Sequence, residues 1–195
     1  MTRKKKEENF MAKKGFTLLE LLIVIGILAI LTAAVVVVLN PAQLLAQARD
    51  SQRLSDLASV QSAINLFLAT ATSTDLETGP YATANATCGF TSTTTCTVST
   101  STAVNGTGWV RVDLSRASGG SPLAVLPLDP TNTATYQYAY IANDNYDTFE
   151  LDARLESEKY RSRMTNDGGS ANVCGANYTD ATCWYEVGND PELNL

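Results

Sequence analysis

The feature that most constrains this chain is an apolar run of 24 residues, 16–39, in which Glu20 is the only charged residue. At about 1.5 Å per residue, a helix of this length spans about 36 Å, which is enough to cross a hydrocarbon core of about 30 Å. Residues 1–15 before it hold six basic and two acidic residues, whereas the remaining 180 residues hold eight basic and eighteen acidic ones. This asymmetry predicts one membrane-spanning helix, with the N-terminal flank in the cytoplasm and the rest of the chain outside.

Two simpler interpretations of this run are a secretory signal peptide and a plain signal anchor. A signal peptide has an apolar region of about 7–15 residues before a small-residue cleavage site, and this run is longer and lacks such a site. A signal anchor explains the length and the orientation but not Glu20. A carboxylate inside lipid costs about 2.5–3.5 kcal/mol and usually marks a function.

Residues 13–20 read Lys-Lys-Gly-Phe-Thr-Leu-Leu-Glu, an order that resembles the processing site of type IV prepilins. The resemblance extends to the end of the apolar run. It implies that a prepilin peptidase cleaves between Gly15 and Phe16 and methylates the new N-terminal amine of Phe16. It also implies an assembly role for Glu20, whose carboxylate would pair in a filament with the Phe16 amine of a neighbouring subunit.

Asn40-Pro41 interrupts the apolar run and marks either the end of a helix or a kink in a longer one. Residues 44–69 contain no Gly or Pro, and a stripe recurs at three- and four-residue steps. The stripe consists of Leu54, Leu57, Gln61, Ile64 and Phe67 or Leu68. This pattern predicts an amphipathic helix with one buried face. The charged residues that fall mostly off the stripe are Arg49, Asp50, Arg53 and Asp56.

Residues 71–108 are predicted to form a loop, because 18 of the 38 residues 70–107 are Ser or Thr and only two are charged. Beyond this loop, three segments alternate apolar and polar residues at the period of a strand, and a fourth could add a short final strand. The four segments are 110–114, 136–141, 149–155 and 184–187. Asn143-Asp144-Asn145 predicts a turn that joins the second and third into an antiparallel hairpin. The tyrosines at 136, 138 and 140 favour packing in the sheet over a carbohydrate-binding platform.

This order of elements is that of the pilin-like α+β fold, in which a long N-terminal helix packs on a small antiparallel sheet. Residues from Gly108 onward also resemble, more weakly, the globular part of type II secretion major pseudopilins. The predicted segments are a basic leader (1–15), a transmembrane or filament-core helix (16–39), an amphipathic stalk helix (40–70), a Ser/Thr-rich loop (71–108) and a C-terminal β-sheet region (109–195).

All four cysteines follow the membrane segment, and a location outside the cytoplasm favours disulfides over free thiols. Cys88 and Cys96 are eight residues apart and Cys174 and Cys183 are nine apart, so none forms the C-x-x-C of a zinc ribbon or a thioredoxin. Three pairings are possible, and we favour the two local ones because each closes a short loop. The resemblance implies a C-terminal disulfide loop, which Cys174 and Cys183 match.

The chain contains no histidine, which excludes Ser-His-Asp and Cys-His catalysis and His-containing zinc sites. Carboxylate chemistry remains possible, but no motif suggests it, and we predict no catalytic residues, no enzymatic activity and no cofactor. A net charge of −6 argues against stable nucleic-acid binding. The resemblance to major pseudopilins leaves one metal open, calcium in a C-terminal loop, although turn formation explains Asp-Gly-Gly equally well and the spacing fits no EF-hand. The candidates are Asp167 with Gly168-Gly169, and Glu186 or Asp190.

Together the resemblances imply a structural subunit of a type IV pilus or a type II secretion-like pseudopilus, and the sequence does not separate the two. The expected partners are identical or related subunits, the prepilin peptidase and a membrane assembly platform. The protein would first span the cytoplasmic membrane once, with its C-terminal domain outside, and would then join an extracellular pilus or pseudopilus. The alternative is a membrane-anchored extracytoplasmic binding protein that does not polymerise and needs neither cleavage nor Glu20.

Overall fold

The structure is a computed structural model that describes residues 15–90, 95–175, 178, 180, 182–190 and 194–195. The predicted leader lies outside the described residues, except for Gly15. The chain forms two compact units, divided between Pro41 and Ala42.

Helix α1, Leu18–Leu39, forms most of the first unit. All of its described side chains are exposed, which matches an apolar run with no polar face. The helix ends at Asn40, whose φ of 38° lies in the left-handed region that stops a helix. Pro41 is the first residue of a second helix. Proline has no backbone N–H, but at this position the N–H has no partner within the helix, so no helical hydrogen bond is lost.

Helix α2, Pro41–Thr70, buries one face, as the amphipathic pattern predicts. Its apolar residues pack against the sheet and the loop before it, in the main hydrophobic core. The helix residues in this core are Leu57, Val60, Ala63, Ile64 and Phe67. On the flank of the same helix, Gln61 Nε2 donates to the carbonyl oxygen of Gly188 at 2.8 Å, which adds a polar contact to the last strand.

The sequence pattern predicts that four charged residues of α2 lie mostly off its buried face, and this prediction is wrong for two of them. Asp50 and Arg53 are fully buried, nearer the N-terminal end of the same face. The physical reason is that Arg53 meets Asp129 from a distant loop, so a pair forms that helical periodicity alone does not reveal. Buried charges are tolerated when they are paired and hydrogen-bonded in this way.

The sheet has five strands in the order β2-β1-β3-β4-β5. The strands are β1 Tyr81–Ala82, β2 Thr97–Val98, β3 Tyr138–Asn143, β4 Thr148–Ala153 and β5 Tyr185–Gly188. All neighbours are antiparallel except β1 and β2, which are parallel. The predicted hairpin is confirmed, since β3 and β4 pair with Tyr140 opposite Leu151. The fold is therefore α+β and pilin-like, as predicted.

The tyrosines of β3 lie in the core rather than on an exposed platform. Tyr138 and Tyr140 are fully buried among the residues that face α2. Their hydroxyls donate to Asp56 Oδ2 at 2.9 Å and to the carbonyl oxygen of Leu76 at 2.6 Å. Buried tyrosines usually have such partners, and both side chains thus serve packing.

The strand predicted at residues 110–114 is wrong. These residues contain a single bridge, between Asn105 and Asp113, followed by a 3-10 helix, Leu114–Arg116. Val110, Val112 and Leu114 are nevertheless buried, so the alternation reports burial correctly. Alternating burial requires only an extended chain across a core, whereas a strand also requires a continuous hydrogen-bonded neighbour.

The face of the sheet that points away from α2 is also covered. Strands β3 and β4 are buried at almost every position, on both faces. Part of the cover is a second hydrophobic cluster that includes Cys88, Phe90, Cys96 and Ile141, with Leu195 packed against it. Polar residues that alternate with the core residues of β4 consequently lie in the interior and not at the surface.

Candidate functional site

The first candidate site is the N-terminal turn of α1. Thr17 has an extended backbone, and its side-chain oxygen accepts a hydrogen bond from the backbone N–H of Glu20 at 3.2 Å. Glu20 is the third residue of the helix, so Thr17 and Glu20 occupy the two positions of a capping box. A carboxylate in the first turn also interacts favourably with the helix dipole. Thr17 therefore caps the helix, and the Glu20 carboxylate lies where the helix dipole favours a negative charge.

Gly15 and Phe16 precede this turn without regular secondary structure. Phe16 is 82% exposed, and no described residue lies within 4 Å of where a Cβ on Gly15 would be. Nothing in the described fold requires glycine at this position. The predicted cleavage bond thus lies in an exposed segment without regular secondary structure, just before a helix.

Apart from Glu20 and Thr32, the surface of α1 is apolar on every side. Residues Leu18–Val36 are long and apolar enough to cross a membrane, and none of them is buried within the structure. The hydroxyl of Thr32 donates to the carbonyl oxygen of Leu28 at 2.7 Å, which satisfies this polar group inside the helix. A helix with these properties needs apolar surroundings supplied by lipid or by other helices.

Two disulfides join the cysteines as local pairs. Cys88 bonds to Cys96 with a Cα–Cα distance of 6.0 Å, and Cys174 bonds to Cys183 with a Cα–Cα distance of 4.8 Å. These are the pairings favoured by sequence separation. The first lies on the covered face of the sheet, and the second closes the loop that precedes β5.

The residues considered for calcium are partly brought together. Glu186 lies on β5, where its carboxylate oxygens accept from the backbone N–H groups of Ser170 at 3.3 Å and Ala171 at 2.8 Å. Asp167 Oδ2 accepts from the backbone N–H of Glu186 at 3.0 Å. Asp190 instead accepts from the backbone N–H of Asn194 at 3.0 Å.

Sequence reasoning missed two members of this acidic group, Glu150 and Asp152 of β4. Together with Glu186 they place one carboxylate oxygen each within 4.8 Å of the others, and all three residues are buried. Burial raises the pKa of Glu150 to about 7 and that of Glu186 to about 8, and it raises the pKa of Asp152 well above its ordinary value. The signal in the sequence was the clean alternation of β4, which placed these carboxylates on one face but did not show that this face is covered.

Residues 10–36 match the family model described as the prokaryotic N-terminal methylation motif. This motif is the signature of type IV pilins and pseudopilins, and it includes the residues on which the predicted cleavage, methylation and assembly roles depend. No curated protein and no solved structure matches the chain. The motif and the apolar helix within it fit a protein that prepilin peptidase processes and that is anchored in a membrane.

Proposed function

We propose that this protein is a structural subunit of a type IV pilus or of a type II secretion-like pseudopilus. Prepilin peptidase would cut the chain between Gly15 and Phe16, and the mature protein would assemble into a filament. The observation that carries the proposal is helix α1, most of which lies within the methylation motif and which exposes apolar side chains on every side. Lipid would surround this surface before assembly, and the same helix of neighbouring subunits would surround it afterwards.

Cleavage would place a new ammonium group on Phe16, four residues before Glu20. An ammonium and a carboxylate in apolar surroundings each carry a large desolvation cost, which decreases when they pair and form hydrogen bonds. Pairing between the Phe16 amine of one subunit and Glu20 of the next would therefore fix the register of the filament. No catalytic role is proposed, and the partners would be related subunits, the peptidase and a membrane assembly platform.

The test must separate this pairing from effects on the N-terminal cap of α1, which Thr17 forms. Glu20→Gln removes the charge but keeps a side chain that suits the third position of a capping box. Thr17→Ala removes the cap and keeps the charge, with an expected loss of about 1 kcal/mol of helix stability. Glu158→Gln makes the same chemical change on an exposed residue of the other unit, whose side chain is 71% exposed. All three variants are compared with wild type in a host with an active assembly system.

We expect all four proteins to reach the membrane and to begin, after processing, at methylated Phe16, as measured by N-terminal mass spectrometry. Wild type, Thr17→Ala and Glu158→Gln should yield sheared surface fibres, and Glu20→Gln should yield few or none. Equal fibre yield from Glu20→Gln would contradict the assembly role. An uncleaved leader on exported protein, or no fibres from wild type with active machinery, would favour the membrane-anchored binding protein instead.

A further inference from the structure

Three acidic side chains meet on the covered face of the sheet. Asp152 on β4 and Glu186 on β5 are directly opposite each other in the antiparallel register, and Glu150 is two residues before Asp152 on the same face. Glu150 and Asp152 have no exposed surface, and Glu186 is 1% exposed. One oxygen from each carboxylate lies within 4.8 Å of the other two, so the three groups converge on one small volume.

This group lacks the partners that buried carboxylates normally have. Both carboxylate oxygens of Asp152, and Oε1 of Glu150, are buried without a hydrogen-bond donor. Among the described residues, no Lys or Arg forms an ion pair with any of the three. Uncompensated buried charge is strongly unfavourable, and buried polar atoms in native proteins are nearly always satisfied. The charge of this cluster is therefore offset either by shared protons or by a bound cation.

The remaining oxygens are held in place by backbone groups. Glu186 accepts from the N–H groups of Ser170 and Ala171, and Glu150 Oε2 accepts from the N–H of Leu195 at 3.1 Å. These bonds occupy both oxygens of Glu186 and Oε2 of Glu150, and they leave Glu150 Oε1 and both oxygens of Asp152 without a donor. Hydrogen bonds of this kind position the ligands in metal sites.

We propose that Glu150, Asp152 and Glu186 bind one calcium ion. A set of ligands made only of carboxylate oxygens selects a hard divalent cation. Calcium binds oxygens at about 2.3–2.6 Å in irregular geometry, and two oxygens on opposite sides of it are separated by roughly the distance found here. Magnesium usually keeps several waters in a regular octahedron, which a site with almost no exposed surface does not favour. This site differs from the loop site that the pseudopilin resemblance implies, because its ligands come from strands and because Asp167 bonds to the backbone N–H of Glu186 and is not a member of the cluster.

The ion would join β4 to β5 and, through the backbone bonds to Glu186, would hold residues 167–171 against the sheet. Calcium binding should consequently stabilise the second unit, and this effect does not depend on filament assembly. At a calcium concentration about 100 times the dissociation constant, the expected rise in Tm is about 5–10 °C.

The experiment uses the full chain in detergent micelles, freed of metal with EDTA and then dialysed at neutral pH. Isothermal titration with calcium chloride gives the stoichiometry and affinity, and near-ultraviolet circular dichroism gives the Tm. The variants are Asp152→Asn and Glu150→Gln, with Glu158→Gln as the matched control on an exposed carboxylate. Magnesium chloride is titrated in parallel.

Wild type and Glu158→Gln should bind one calcium ion per chain, and each cluster variant should bind more than about 10-fold more weakly. If Asp152→Asn fails to fold, Glu150→Gln decides. The highest calcium concentration tested is about 10 mM, which is above the dissociation constants of weak extracellular sites. If wild type binds no calcium up to this concentration, the proposal is overturned, and shared protons offset the negative charge of the cluster instead. Unchanged binding in the cluster variants would overturn the site, and equal or tighter magnesium binding would overturn the assignment to calcium.

Discussion

Arg53, buried in helix α2, donates to both carboxylate oxygens of Asp129, from Nε at 2.6 Å and from Nη2 at 3.0 Å. Its Nη1 donates at 2.8 Å to Asp50 and to Glu156. Asp50 in turn accepts from the backbone N–H groups of Glu156 and Ser157. One guanidinium thus connects the helix to two loops that are distant in the sequence.

We expect Arg53→Met to destabilise the second unit by about 3–5 kcal/mol, because it leaves buried carboxylates without their counter-charge. Arg49→Met is the matched control. Arg49 lies on the same helix as Arg53 and pairs with Glu156, but the Arg49 side chain is 34% exposed. An ion pair this exposed contributes about 1 kcal/mol or less.

The free energy of unfolding can be measured by urea titration of the full chain in detergent micelles. Trp109 and Trp184 are the only tryptophans and both are buried in the second unit, so their fluorescence reports its unfolding. Equal losses in the two variants would show that the buried pairing of Arg53 is not what stabilises this region.

The same network predicts a specific loss of stability in acid. Burial raises the pKa of Asp129, but its hydrogen bonds and charge interaction with Arg53 outweigh burial and hold the pKa below its ordinary value. The balance is the same for Glu156, with Arg49 and Arg53 as its partners. A carboxyl whose pKa is lower in the folded state stabilises the fold above the unfolded pKa, and this contribution disappears as the pH falls through the folded pKa.

The measurement compares wild type with Asp129→Asn, which keeps the side-chain shape but removes the charge. Unfolded carboxyls titrate near pH 4, so the difference in unfolding free energy should be complete at about pH 6 and should shrink below about pH 4. The acidic group of β4 and β5 is the same in both proteins and cancels in the comparison. A difference that grows toward low pH would contradict the assigned direction of the pKa shift.

Much of this fold could be predicted from local pattern, because the pattern reports which side of an element is apolar. The period of α2 and the alternation of β3 and β4 gave the helix, the hairpin and the α+β class. Residues 13–20 likewise contain the N-terminal motif in consecutive residues. Each of these features can be recognised from a short segment, without knowing where the rest of the chain lies.

The errors arose where the outcome depends on a distant partner. The helical pattern predicts that Arg53 faces solvent, because the pattern does not reveal its partner Asp129. The alternation at residues 110–114 predicts a strand, because it does not reveal that these residues have no paired neighbouring strand. The alternation of β4 predicts that Asp152 faces solvent on a half-exposed sheet, whereas it is fully buried. Its burial depends on loops that cover the second face, and nothing in the alternation of β4 contains that information.

The disulfides should contribute similar amounts to stability. They close loops with sequence separations of 8 and 9, and a chain-entropy estimate for loops of this size is about 2.5 kcal/mol each. The double variants Cys88→Ser/Cys96→Ser and Cys174→Ser/Cys183→Ser remove one bridge at a time without leaving an unpaired thiol. Urea titration should show a loss of about 2–3 kcal/mol for each, and an unchanged midpoint in either would show that its bridge does not constrain the unfolded chain.

Gly15 offers a test of processing that leaves the fold intact. Because no described residue lies within 4 Å of the added Cβ position, Gly15→Val should insert in the membrane and unfold at the same urea concentration as wild type. If a peptidase requires glycine before the cut, this variant should accumulate with its leader. Gly26→Ala is the control: it also has open space around it, lies within α1, and favours the helix by about 1 kcal/mol. It should be processed like wild type. The intact N-terminal mass distinguishes the two states, and normal cleavage of Gly15→Val would show that this glycine is not what the peptidase recognises.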